Sequence, residues 1–207
     1  MDSLKVAAFF GAVFLLGAIF AFVIVAGCTD NNGEDDPPDE PEPTKGTAKW
    51  ADYMGRKAVK ADWRSDAYLV CLSWLNLKIN GTGVMTEADT ITLYYGSSGS
   101  DLFYRITVDM NGATDFEEGE VAKSLVFTKG GGDVANWTAN SDTVLPLAKN
   151  YFLKPDEYAD RFSVQPANTI AKDLNTTHPI ACVRTQHQTL YFDATNGIYL
   201  DRFSAIY

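Results

Sequence analysis

The chain is poor in the residues that carry catalysis or build small scaffolds. Its 207 residues include three cysteines, two histidines and eight prolines, and 17 Lys+Arg are outnumbered by 27 Asp+Glu. Three cysteines are too few for a disulfide-built scaffold. A formal net charge of −10 excludes a surface that neutralises rows of phosphates, so nucleic acid is not an expected partner. Gly96-Ser97-Ser98-Gly99-Ser100 lacks the final glycine of a Gly-x-Ser-x-Gly elbow. His-Glu-x-x-His is absent, and the Lys123-Ser124 pair lacks the glycine spacing of a phosphate loop. No catalytic residue and no cofactor is therefore expected. What the chain has is apolar content: 46% hydrophobic and 13% aromatic residues suffice to bury a core, which excludes wholesale disorder.

Residues 6–27 form one uncharged apolar run of 22, preceded by the charges of Asp2 and Lys5. As a helix this run would reach ~33 Å, about the hydrocarbon thickness of a bilayer. It ends in Val25-Ala26-Gly27-Cys28, which resembles the prokaryotic lipoprotein signal, a branched apolar residue and two small ones before a cysteine. The resemblance implies that Cys28 takes a diacylglycerol on its sulfur and becomes the mature N-terminus. The alternative is an uncleaved signal-anchor helix. Either reading moors the chain to the cell membrane with the remainder facing the exterior. The flanks agree, since the nearby positive charge precedes the run and an acidic block follows it.

Residues 28–45 read as a tether. From Thr29 to Lys45 there are seven acidic residues, four prolines and no large apolar side chain, so the segment cannot offset its ordering entropy by burial and is expected to be a solvated, disordered spacer. Without those seven acids and one lysine, and without Asp2 and Lys5, 19 acids remain against 15 bases. The charge asymmetry is mostly stalk.

From residue 46 the composition is that of a folded domain. Trp50, Tyr53, Met54, Ala58 and Ala61 follow helical spacing, which predicts a helix over 47–62. Ser65 could cap a further helical turn. Residues 68–79 are apolar; the alternation of Leu72, Trp74 and Asn76 favours a strand over a buried helix. Ile91, Leu93 and Tyr95 alternate with polar neighbours, as do Leu102, Tyr104, Ile106 and Val108 beyond a Gly/Ser-rich turn, and these predict the clearest hairpin. Asn111-Gly112 closes its second strand with a tight-turn dipeptide. A third strand is expected over 122–128. Pro155 and Pro166 occupy candidate first helical positions, ahead of 156–159 and 167–174. Strands are expected over 180–185 and 189–192, and a turn at 193–197 leads into 198–200.

The segments 104–112 and 189–197 share a plan: a strand running into aspartate, Asp109 or Asp193, then Asn-Gly two or three residues on. A tandem repeat would divide the domain at about 46–132 and 141–207; two ordinary hairpins would give the same turns. The ending Tyr191-Phe192-Asp193-Ala194-Thr195-Asn196-Gly197-Ile198-Tyr199-Leu200 resembles the last hairpin of PepSY-like domains. Trp63-Arg64-Ser65-Asp66-Ala67 and the aromatic strand Thr92-Leu93-Tyr94-Tyr95 are similar to those of extracytoplasmic PepSY-like lipoproteins of archaea and Gram-positive bacteria. The resemblance implies an α+β fold, an N-terminal helix packed on an antiparallel β-sheet, in one or two PepSY-like units. It also implies a non-enzymatic role, which in some members is the restraint of secreted peptidases.

Several residues qualify as sites. His178, Cys182 and His187 form His-x3-Cys-x4-His, but strand alternation puts His187 on the opposite face from the other two and no fourth ligand lies nearby, so no metal is expected. Asp109, Asn111, Gly112 and Asp115 misplace the glycine of a calcium loop. Cys71 and Cys182 could pair outside the cytoplasm or stay separately buried. Asn80, Asn136 and Asn175 stand in glycosylation acceptor patterns. The leading expectation is a membrane-anchored surface lipoprotein whose non-catalytic domain binds a protein or peptide partner. The alternatives are an extracytoplasmic enzyme or metal-binding protein using Cys182, His187 and the acids near Asp109, or a structural envelope component.

Overall fold

The computed structural model describes residues 41–75, 77, 82–119, 134, 137–170 and 174–204. The expected signal helix, most of the tether and the strand expected over 122–128 lie outside these. Among the described residues no helix is long and apolar enough to cross a membrane.

The chain runs α1 (Ala48–Asp62), β1 (Tyr68–Leu75), β2 (Ile91–Gly96), β3 (Phe103–Asp109), β4 (Gly112–Gly119), α2 (Ser141–Ala148), β5 (Ala159–Gln165), β6 (Ile180–Thr185), β7 (Gln188–Asp193) and β8 (Tyr199–Ser204). All eight strands form a single antiparallel sheet in the order β4-β3-β2-β1-β5-β6-β7-β8. Each half is thus a helix followed by a four-strand meander. The halves join at the sheet centre, where Leu72 faces Val164 and Trp74 faces Phe162 across β1 and β5. The architecture is α+β. The two Asp…Asn-Gly turns follow β3 and β7, the third strand of each half, and both glycines have positive φ (+119° at Gly112, +75° at Gly197).

The helix at 48–62 forms as its sequence predicts, with the Thr47 hydroxyl accepting the Trp50 N–H at 3.3 Å as its N-cap. Its core-facing stripe differs from the one expected. Of the expected residues Trp50 is buried, together with Ala48, Ala51, Asp52, Gly55 and Val59, whereas Tyr53, Met54 and Ala58 are half-buried and Ala61 is exposed. Small side chains face the sheet because a bulky partner, Tyr95, stands against Gly55; a Cβ there would lie 2.5 Å from the phenol oxygen. Ser65 caps no helix. That loop is held instead by Asp66, whose carboxylate accepts from Ser97 Oγ (2.7 Å), Ser98 Oγ (2.5 Å) and Ser98 N (3.1 Å) of the β2–β3 turn.

Residues 68–75 are a strand, as the alternation favoured. Four other elements depart from expectation. Gly112–Gly119 pairs with β3 as an edge strand, and an edge strand open to solvent needs no apolar alternation. The segment after Pro155 enters β5 rather than a helix, because Phe162 and Val164 continue the core rows of β1. Pro166 opens a single 3-10 turn, Ala167–Thr169. The helix at 141–148 carries Pro146 in its interior but is capped by Asn140 and buries Val144, Leu145 and Ala148.

One continuous core spans both halves, with Trp74, Trp137, Tyr95, Phe162 and Phe192 as its largest members, and both helices contribute to it. The helix ends are closed alike. Trp63, after α1, stacks on Tyr104 at 5.2 Å between centroids, and Tyr151, after α2, stacks on Tyr199 at 4.0 Å. The helix starts meet each other: Ser141 Oγ accepts the Ala48 N–H (2.9 Å) and donates to Gly83 O (2.6 Å), while Asn140 Oδ1 accepts the Lys49 N–H (3.0 Å). Side chains of one helix start therefore satisfy backbone donors of the other that no helical partner can reach. The last residues assigned to the tether join this region, with Glu42 Oε1 accepting from Trp50 Nε1 at 3.1 Å.

Candidate functional site: the uncovered face of the sheet

Strand alternation gives the sheet two unlike faces. Leu72, Leu93, Ile106, Val164, Val183 and Leu190 turn toward the helices and are fully buried. Among the described residues neither helix packs on the opposite face. One row crosses all eight strands on it, running Asp115, Thr107, Thr92, Ser73, Ser163, Cys182, Tyr191, Asp201. A parallel row runs Glu117, Arg105, Tyr94, Cys71.

These rows have a shape. Small side chains, Ser73, Ser163, Cys71 and Cys182, occupy the centre. Tyr94 stands beside Cys71 and Tyr191 beside Cys182, so a ring rises on each side of a low middle. Farther out comes Arg105, bonded to Glu117 (2.6 Å) and Asp115 (3.4 Å); on the other half Arg184 stands two residues along β6 from Cys182, bonded to Asp160 (2.8 Å). Burial raises the Tyr94 and Tyr191 phenols above their ordinary value, reinforced by the adjacent cysteine in each case. Both stay neutral hydrogen-bonding groups at physiological pH. The arrangement can recognise a complementary surface through aromatic, guanidinium and hydroxyl contacts.

The sequence-predicted residues fall as follows. Cys71 and Cys182 share this face as free, separately buried thiols. They sit on β1 and β6 with β5 between, and two strand spacings of ~9.6 Å exceed the ~7 Å Cα separation a disulfide tolerates. Burial raises both thiols, Cys182 to about 12 even though Gln165 Nε2 lies 3.4 Å from its sulfur. Neither presents a thiolate. Both are expected to resist a thiol-specific alkylating agent at pH 8 in the native protein and to react within minutes once denaturant is added; rapid native labelling would show that the burial is wrong.

His178, Cys182 and His187 are not gathered. Cys182 lies within β6, His187 in the turn after it, five residues on or ~16 Å of extended chain. His178 precedes the strand and its Nδ1 lies 2.8 Å from Asp193 Oδ2. Among the described residues no three His, Cys, Asp or Glu side chains converge as metal ligands. Asp109 closes its turn by accepting the Asn111 N–H at 2.7 Å, while Asp115 faces Arg105. Asn175 is exposed ahead of β6; Cys28, Asn80 and Asn136 lie outside the described residues.

Asp193 is a structural acid that sequence reasoning placed in a turn without seeing its partners. It is buried and accepts from Thr195 N (2.8 Å), Thr195 Oγ1 (2.6 Å) and Asn196 Nδ2 (3.2 Å) besides facing His178. Burial alone would raise its pKa, but the Thr195 and His178 bonds outweigh it and hold the carboxyl below its ordinary value of 3.8. A depressed folded value means that the contribution is fully present above the unfolded value and lost as pH falls through the folded one. Asp193→Asn is therefore expected to lower stability at neutral pH and to flatten the stability curve below about pH 3.8. Acid titration of the unfolding midpoint tests this, and an unchanged acid limb would refute it.

No family model matches this chain, and no curated protein does. Among solved structures, the fold matches a crystal structure of a candidate lipoprotein from Clostridium difficile 630, with a TM-score of 0.52, 12% sequence identity, and 80% of this chain and 97% of that chain covered. At that identity the likeness is one of fold.

Proposed function

We propose that this protein is a lipid-anchored surface protein of a prokaryotic envelope whose α+β domain is a non-catalytic binding module for a protein or peptide partner. The uncovered sheet face carries the reading. A large sheet that spends one face on a core and lines the other with tyrosines, arginines and a low centre of small residues has the composition of a recognition surface, where Tyr and Arg dominate binding energy. The repeated helix–meander plan supports reading the domain as two PepSY-like units fused edge to edge, with restraint of a secreted peptidase as the specific form of binding. The anchor rests on residues 6–27 and Cys28, and the described neighbour from Clostridium difficile is consistent with it.

Photo-crosslinking tests the face. A benzophenone side chain at Thr92 or Thr189 is expected to capture one envelope or secreted protein that the same group at Lys57, on an exposed side of α1, does not. Tyr94→Ala with Tyr191→Ala should abolish that adduct. Equal capture from Lys57, or capture indifferent to the two tyrosines, would defeat the proposal. For the anchor, Cys28→Ser should remove the acyl mass and release the chain from membranes; an unchanged N-terminal mass with unchanged retention would leave the signal-anchor helix in its place.

A further inference from the structure

A second concave site lies away from the sheet face. Where the chain leaves α2 and enters β5, a cleft of ≈ 610 Å³ opens, within the range of pockets that hold small organic ligands. Its walls include Leu145, which is buried, and Phe152, which is half-buried; Leu153 and Tyr158 stand at 48% and 49% exposure. Leu153 and Tyr158 are large apolar groups left in water in the lining of a concavity, a cost that a bound apolar group would relieve.

Three charged groups line the same cleft: Lys149, Lys154 and Glu157. Glu157 is already spent. Its Oε2 accepts the backbone N–H groups of Leu153 and Lys154, and its Oε1 accepts from Thr185 Oγ1 and Gln188 Nε2. The carboxylate thereby fastens the cleft floor to the β6–β7 turn and has little left to offer a ligand. The lysines are the reverse case. Both are exposed, and among the described residues neither ammonium forms an ion pair with a carboxylate.

We infer that this cleft binds a small apolar carboxylate, an aryl- or alkyl-substituted acid whose hydrocarbon part packs against Leu145, Phe152, Leu153 and Tyr158 while its carboxylate meets Lys149 and Lys154. The charge complement selects an anion over a neutral or cationic amphiphile of the same shape. The acidic segment at 29–45 of the chain itself is the wrong occupant, since it would satisfy the lysines but has no large apolar side chain for the walls.

The full-length chain in lipid nanodiscs, with empty discs subtracted, is titrated with 4-phenylbutanoate, 4-phenylbutanol and 4-phenylbutylamine by saturation-transfer NMR. The acid should bind saturably, with the alcohol about fivefold weaker and the amine weaker still. Lys149→Met with Lys154→Met should remove the acid's advantage and leave the alcohol unchanged. Lys149→Arg with Lys154→Arg should keep it. Leu153→Ser should weaken acid and alcohol in parallel. All these side chains are exposed, so the thermal transition by circular dichroism should stay put in each variant. The inference is overturned if the acid fails to saturate, if acid and alcohol bind equally, or if the double methionine variant keeps the preference.

Discussion

Asp52→Ala is expected to destabilise the domain by about 2–3 kcal/mol, because it removes the acceptor of two buried donors and the partner of one half-buried guanidinium. Asp52 is 3% exposed on the sheet-facing side of α1. Its Oδ1 accepts from Tyr95 Oη at 3.1 Å and Arg56 Nε at 3.0 Å, and its Oδ2 accepts from Trp137 Nε1 at 3.3 Å. Tyr95 and Trp137 are fully buried, so neither can turn to water when the carboxylate goes. Tyr95 keeps a bond to the Asp52 carbonyl (3.1 Å); Trp137 Nε1 keeps none. Burial, with the Asp52 charge beside it, pushes the Tyr95 phenol well above its ordinary value, so it remains a donor throughout. The unfolding midpoint in urea, followed by circular dichroism, measures the loss. Trp137→Phe should cost less on the Asp52→Ala background than alone, since the donor it deletes is by then already orphaned. Additive losses would mean that the indole and the carboxylate do not interact.

Gly83→Ala is the second large effect, expected to cost on the order of 3 kcal/mol or more, by adding left-handed strain to overpacking against backbone. Gly83 has φ +74°, and a Cβ there would lie 2.1 Å from Ser141 O and 2.4 Å from Ser141 C. Backbone on the far side cannot swing away as a side-chain tip can. The displaced strand of chain also carries the Gly83 carbonyl that receives Ser141 Oγ, and the same Oγ accepts the Ala48 N–H. Gly83 is thus the spacer at the point where both helix starts meet. Gly119→Ala, where a Cβ meets nothing within 4 Å, should fall within about 0.5 kcal/mol of the parent. A Gly83→Ala protein as stable as the Gly119→Ala control would show that this junction yields freely.

The contrast between these positions separates what a local pattern encodes from what it does not. The β2–β3 hairpin was legible because Ile91, Leu93, Tyr95, Ile106 and Val108 each spend every second residue on one core. The helix at 48–62 was legible from its cap and length; of its expected stripe Trp50 is buried, while Ala51, Asp52, Gly55 and Val59, which the spacing did not single out, join it. Asp52 reads as a solvent-facing charge until Trp137, 85 residues away, supplies a donor. The strand Gly112–Gly119 was missed because an edge with acids at Asp115, Glu117 and Glu118 has no apolar period to read. The strand at Ala159–Gln165 was hidden behind Pro155-Asp156-Glu157, residues that open helices elsewhere and here fold back so that Glu157 can accept the Leu153 N–H. The candidate face was half legible. Cys71 and Cys182 were singled out as a bridged pair or as two separately buried thiols, and the tyrosines beside them were read only as strand residues.

The amino-acid order alone determined the succession of an apolar N-terminal run, an acidic proline-rich stretch and a domain of alternating strands behind a helix, because each depends on composition or on contacts a few residues long. Tertiary structure alone decided that β1 and β5 join two meanders into one sheet, and so which side chains share the uncovered face. Leu72 and Val164, or Ser73 and Ser163, are neighbours across some 90 residues, and pairing at that range is fixed by the whole core closing at once.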